Sequence, residues 1–259
     1  MSDTPQLLRE HHLKALRVPT FLRDYDKVAR PCAAESVDPP RSLLRWAELE
    51  LLERQQRSTE RWIRAAHFPV SKSLETFAFL AIPSLNKGLV LELARGDDIE
   101  RRENVLALGH SGTGKTHMAL ALGLAACQRG ERVRFTTAAA LGHEWLEAKD
   151  DKRRLRDQKQ LASHQRLIID ELGFVPLWKS GAAFLFAIFR LRYERSATLV
   201  TSHLPFDQWT EVRGSERLTG ARLDRLPHHV HILERHAERY RRKERKQAKR
   251  SSPRKGDTT

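Results

Sequence analysis

Cysteine is almost missing from this chain. Cys32 and Cys127 are the only two, and neither stands in a CxxC or mixed Cys/His spacing. A disulfide scaffold is thereby excluded, and the usual grounds for a zinc site are absent. The histidine pairs His11-His12 and His228-His229 also lack metal-ligand spacing. Long apolar runs are missing too. The longest, Ala182 to Phe189, falls well short of the ~20 residues that cross a bilayer. No basic stretch followed by an apolar segment opens the chain, so a secretory signal is not expected and cytoplasmic residence is. Internal repeats are likewise lacking. Acidic side chains are in deficit, 33 against 47 Lys plus Arg, for a net charge of +14 over 259 residues. That surplus favours polyanionic partners, DNA or RNA first among them, although a solvated basic surface with a charged tail would give the same balance.

What is present divides the chain. Residues 1–95 read as a helical region. Thr4 caps a helix with Pro5 in its first position, Leu7, Leu8, Leu13 and Leu16 give the periodicity, and Pro19 ends it. A second helix is expected after Pro39-Pro40, capped by Ser42, with Leu43, Leu44, Ala47, Leu51 and Leu52 as its apolar stripe. Arg54, Arg57, Arg61 and Arg64 recur at steps of three or four and so share a face, which serves either as solvated surface or as a nucleic-acid or partner contact. From about Asp98, short apolar runs alternate with helical stretches, the pattern of a parallel sheet covered by helices. Strands are expected at Asn104–Leu108, Val133–Thr136, Leu167–Asp170, Thr198–Thr201 and Val230–Leu233. Helices are expected near Thr116–Arg129, Ala138–Ala148, Ala182–Glu194 and Glu216–Leu226. This gives an α/β fold with a parallel sheet over 96–238, followed at 239–259 by a basic helix and tail.

The chemistry concentrates at Gly109-His110-Ser111-Gly112-Thr113-Gly114-Lys115-Thr116, which fits G-x-x-x-x-G-K-[ST] between an expected strand and helix. Glycines let the backbone curl round phosphates, amides and the helix N-terminus face their charge, and Lys115 reaches the β/γ-phosphates. Thr116 is the expected Mg²⁺ ligand. Downstream, the apolar strand Leu167-Ile168-Ile169 ends in Asp170-Glu171. Asp170 suits the metal-holding acid of P-loop NTPases. Glu171 is placed to polarise an attacking water, which favours ATP hydrolysis over phosphorylation of a small acceptor. His203, at the polar end of the strand Thr198–Thr201, is the candidate sensor of the γ-phosphate. Arg222 and Arg225 share a helix face and suit either an arginine finger or salt bridges to Glu216 or Asp224.

These residues resemble a family. The segments RAAHFPVSKSLETFAF, the P-loop with its flanks, LIIDELGFVPL, FRLRYERSATLVTSHLPFDQW and RLDRLPHHVHIL are similar to those of IstB-like ATPases, helper proteins of insertion-sequence transposition. A more distant likeness is to the DnaC helicase loader and the DnaA initiator. The resemblance runs from about Leu7 to Arg241. It implies an AAA+ fold, a three-layer parallel sheet with a small N-terminal helical domain. It further implies ATP-driven assembly on double-stranded DNA as a homo-oligomer with composite ATP sites, and recruitment or activation of a cognate transposase. By the same likeness Arg225 is the trans-acting arginine and Arg241 a second sensor that contacts the nucleotide. The chain departs from the family pattern at His203, where Asn is usual, at His110-Ser111, and at Ala237 and Arg239. Two alternatives stand beside this reading: a replicative helicase loader, and a nucleotide-gated DNA scaffold in which hydrolysis is vestigial.

Overall fold

A computed structural model describes residues 4–147, 151–173, 179–204 and 230–235. The chain forms two compact units, Met1–Arg61 and Trp62–Thr259. In the first, helices α1 (Thr4–Ala15) and α2 (Pro19–Ala34) precede α3 (Pro39–Ala65), whose end from Trp62 belongs to the second unit. Pro19 opens α2, because its missing N–H is one that a first helical turn leaves unpaired anyway. Pro19 therefore begins a helix where the sequence predicts only the end of one, and Ser42 lies inside α3, not at its cap. Trp46 stacks on Phe21 and Tyr25, with ring centroids 5.0 and 5.8 Å away. The buried Glu50 carboxylate accepts from the Thr20 amide at 3.0 Å and from Arg54 at 2.7 Å. Arg57 pairs in the same i, i+4 manner with Glu53. Arg57 thus spends its guanidinium along its own helix, as a solvated face does, whereas Arg54 also donates to the Arg17 carbonyl at 2.7 Å, tying α3 to the turn before α2.

The second unit is a parallel five-stranded sheet in the order β2 (Val133–Thr137), β3 (Arg166–Leu172), β4 (Ala197–Ser202), β1 (Asn104–Gly109), β5 (Val230–Arg235). All five expected strands are present. Successive side chains of a strand point to opposite faces, and the two cores divide accordingly. Val105 and Ala107 join Ile168, Leu199 and Leu233 on one side; Leu106 and Leu108 join Leu167, Ile169 and Val200 on the other. The first side is covered by α6 (Lys115–Gln128), which contributes Met118, Ala119, Leu120 and Leu122. Residues 62–95 lie on that same side through Ala66, Phe77, Ile82, Leu85, Val90 and Leu93. They include α4 (Lys87–Arg95), and the short α5 (Asp97–Glu100) follows. This stretch, grouped by sequence with the N-terminal helices up to residue 95, therefore packs with the sheet, and the compact units divide at Arg61/Trp62 instead. The second side is covered by α7 (Ala138–Glu147), α8 (Asp151–Ala162) and α9 (Lys179–Arg192) through Leu141, Leu161, Leu185 and Ile188.

Two arginines are built into this core. Arg166 at the start of β3 is fully buried, ion-paired with the equally buried Asp98 and hydrogen-bonded to the Leu122 carbonyl at 3.0 Å. Arg192 donates to the carbonyls of Leu161, His164 and Ala197, tying the end of α8 to β4; burial lowers its pKa to about 9. Among the described residues, no helix is long and apolar enough to cross a membrane.

Candidate functional site

Strand β1 runs directly into the glycine-rich turn, and α6 starts at Lys115. Gly112 and Gly114 both have φ of 83°, the left-handed conformation that side chains resist, so the turn could not keep this path with other residues there. Within it the Thr113 hydroxyl donates to the His110 carbonyl at 2.9 Å. The Lys115 ammonium donates to the carbonyls of Gly109 and His110 at 2.6 and 2.9 Å, so a full positive charge lies inside the curl, beside the N-terminus of a 14-residue helix. Both features draw anions.

The acid pair is beside it. Thr116 Oγ1 donates to Asp170 Oδ1 at 3.1 Å, bringing the end of β3 to the first turn of α6. Asp170 is only 3% exposed, whereas Glu171 is exposed and lines the cavity in front of the turn. Consecutive strand residues would ordinarily face opposite ways. Here β3 carries one extra residue relative to β4, since Ile169 pairs with Val200 and Leu172 with Ser202, and Glu171 takes a left-handed φ of 60°. A bulge of this kind re-aims side chains. Its result is that both carboxylates serve one end of the sheet.

The cavity measures about 450 Å³, within the usual range for a small-molecule site. Residues 111–117 form its polar floor, joined by Glu171, Thr201 and His203; Val70, Phe77, Ala78, Ala81 and Ile82 form an apolar wall. That wall was missed in the sequence. His117 holds it: its Nε2 lies 3.3 Å from Thr76 Oγ1 and 3.2 Å from the Ser73 carbonyl, and its ring meets Phe77 edge-on at 5.2 Å. A helical position immediately after the P-loop threonine was the available signal. The donors suit both halves of a nucleotide, an apolar slot for a base and amides with an ammonium for phosphates. A hydroxyl and a carboxylate oxygen in contact are the hard oxygen set that Mg²⁺ prefers. Of the residues singled out by sequence, Lys115, Thr116, Asp170, Glu171 and His203 are thus brought to one place. Arg222, Arg225, Arg241, the expected helix at Glu216–Leu226 and the basic tail lie outside the described residues.

Residues 11–248 match the family model described as IstB-like ATP binding protein. Over 239 residues the chain is 36% identical to an insertion-sequence ATP-binding protein of Sinorhizobium fredii, covering 92% of this chain and 80% of that one. It is 33% identical to the ATP-binding protein of insertion sequence IS5376 from Geobacillus stearothermophilus, covering 89% and 92%, and 39% identical to that of IS21 from Pseudomonas aeruginosa, covering 75% and 74%. Among solved structures it resembles DnaI (TM-score 0.54, 15% identity, 68% of this chain and 94% of that one). It also resembles the replication initiator DnaA bound to AMPPCP and single-stranded DNA (TM-score 0.51, 23% identity, 71% and 56%). At these identities the likeness concerns the AAA+ fold alone. With a P-loop, an acid pair and a matching sheet in one unit, the chain belongs to the IstB-like ATP-binding proteins associated with insertion sequences.

Proposed function

We propose that this protein is a Mg²⁺-dependent ATPase that assembles on double-stranded DNA and recruits or activates the transposase of its insertion sequence. The observation that carries the reading is the contact of Thr116 with Asp170 beneath a cavity that Glu171 lines. In this reading the P-loop amides and Lys115 bind the triphosphate, while Val70, Phe77, Ala81 and Ile82 bind the base. Thr116 and Asp170 would hold Mg²⁺, which when bound neutralises charge developing on the phosphates. Glu171, exposed and within the cavity, accepts a proton from the attacking water. His203 contacts the terminal phosphate. Arg225, from a neighbouring subunit, and Arg241 complete a composite site, which makes oligomerisation a requirement of turnover. The net +14 charge supports a phosphate-backbone partner, and the insertion-sequence relatives support a transposase as the protein partner.

A Glu171→Gln variant tests the reading. It should still bind ATP but hydrolyse it ~10²–10⁴-fold more slowly, the usual worth of a general base, and its complexes with duplex DNA should outlive those of the wild type. Hydrolysis at the wild-type rate would remove Glu171 from the mechanism. A wild-type chain that stays monomeric with ATP, Mg²⁺ and DNA together would refute assembly.

A further inference from the structure

We propose that Thr201 is the positioning residue of the acid pair, a single hydroxyl that sets both the carboxylate of Asp170 and the turn presenting Glu171. The proposal rests on the hydrolytic reading above. Thr201 is 1% exposed and lies on β4, paired in register with Ala107 of β1, two residues before the P-loop begins at Gly109. Its Oγ1 donates to Asp170 Oδ1 and accepts from the Glu171 amide, at 3.0 Å. Chemistry fixes both directions, because a carboxylate only accepts, an amide N–H only donates, and a hydroxyl has one proton.

The amide in question is the one the bulge displaces. Where β3 gains its extra residue, the regular ladder to β4 is interrupted between Ile169 and Leu172, and an extra bulge residue is left without its ladder partner. Thr201 supplies a partner from its side chain. It thereby holds Glu171 in a left-handed conformation that glutamate adopts reluctantly. The same oxygen, with Thr116 on the other side, fixes Asp170 Oδ1 from two directions. The Lys115 ammonium donates to the Gly109 and His110 carbonyls, not to the Asp170 and Glu171 groups that the Thr201 hydroxyl contacts. Removing the hydroxyl should therefore disturb water activation and metal geometry while leaving the grip on the nucleotide in place.

The experiment compares wild type, T201V, T201S and E171Q as full chains with Mg²⁺-ATP, measuring single-turnover hydrolysis and the affinity for a fluorescent ATP analogue. For T201V we expect hydrolysis to fall ~10–100-fold with affinity within about threefold, since misplacement of roughly 1 Å costs on the order of 10² in rate. T201S, which keeps the hydroxyl, should recover most of the rate. A merely structural role would move affinity and rate together and would not be rescued by serine. Wild-type rates in T201V, or a T201S as impaired as T201V, would overturn the proposal; T201A carries the same expectation if T201V does not fold. Equal rates in wild type and E171Q would overturn the hydrolytic reading itself, and this proposal with it.

Discussion

Cutting the buried ion pair beneath β3 should cost more stability than removing any charge at the surface. Asp98 and Arg166 are both fully buried, and neither can recover water when the other is lost. Arg166→Met leaves the Asp98 carboxylate facing an apolar side chain; breaking a buried pair from one side typically costs about 3–5 kcal/mol. The pair itself is less valuable than that figure, because among the described residues Asp98 Oδ1 and Arg166 Nε are buried without a hydrogen-bond partner. The D98L/R166M double variant should therefore regain most of the loss, since well-packed apolar replacements of buried pairs are often neutral or stabilising by about 1–4 kcal/mol. Guanidinium denaturation of wild type, D98L, R166M and D98L/R166M closes the cycle. Arg166 also binds the Leu122 carbonyl, so R166M should be somewhat worse than Asp98→Asn. Single variants within about 1 kcal/mol of wild type, the ordinary worth of an exposed pair, would refute the reasoning.

Cys127 is buried and its thiol is pushed up to about 12, so native protein should resist iodoacetamide at this position at neutral pH, with labelling appearing only on unfolding; mass spectrometry of the modified peptide decides it. His117→Ala should loosen the wall formed by residues 73–77 and weaken ATP and ADP binding about 5–20-fold, the loss of roughly 1–2 kcal/mol in pocket contacts. Competition by inorganic tripolyphosphate should be unchanged in that variant, and an equal loss for both ligands would contradict the assignment. DNA affinity should fall steeply as salt rises, with a log–log slope reporting several phosphate contacts; a flat dependence would remove the electrostatic basis for the partner.

The sheet was legible because its strands are buried on both faces and so appear as short continuous apolar runs, such as Val105–Leu108 and Leu167–Ile169. The P-loop and Asp170-Glu171 were legible because chemistry restricts the residue types at those positions. Elsewhere the signals were weaker. Pro19 reads as a stop, yet α1 already ends at Ala15, with Arg17 in a left-handed turn at φ 56°, and Pro19 begins α2, within which Pro31 also lies. Helix α4 declares itself through the Asn86 side chain, which accepts from the Leu89 amide, and through Gly96 at φ 91°. Those caps are single residues, and the helix between them is only nine residues long, too short for its apolar stripe to stand out in the sequence. The apolar wall from Val70 to Ile82 has no period at all, being irregular chain with one short 3₁₀ turn at Phe79–Ala81. Thr201 was indistinguishable from any strand threonine, since its partners come from a bulge that only the fold creates.

The most direct measurement is a structure with Mg²⁺ and a non-hydrolysable ATP analogue. Phosphates should lie against Lys115 and the loop amides, a metal between Thr116 and Asp170, and a water held by Glu171 on the side of the terminal phosphate. A nucleotide bound away from the glycine-rich turn, or a metal that Asp170 does not approach, would contradict this arrangement.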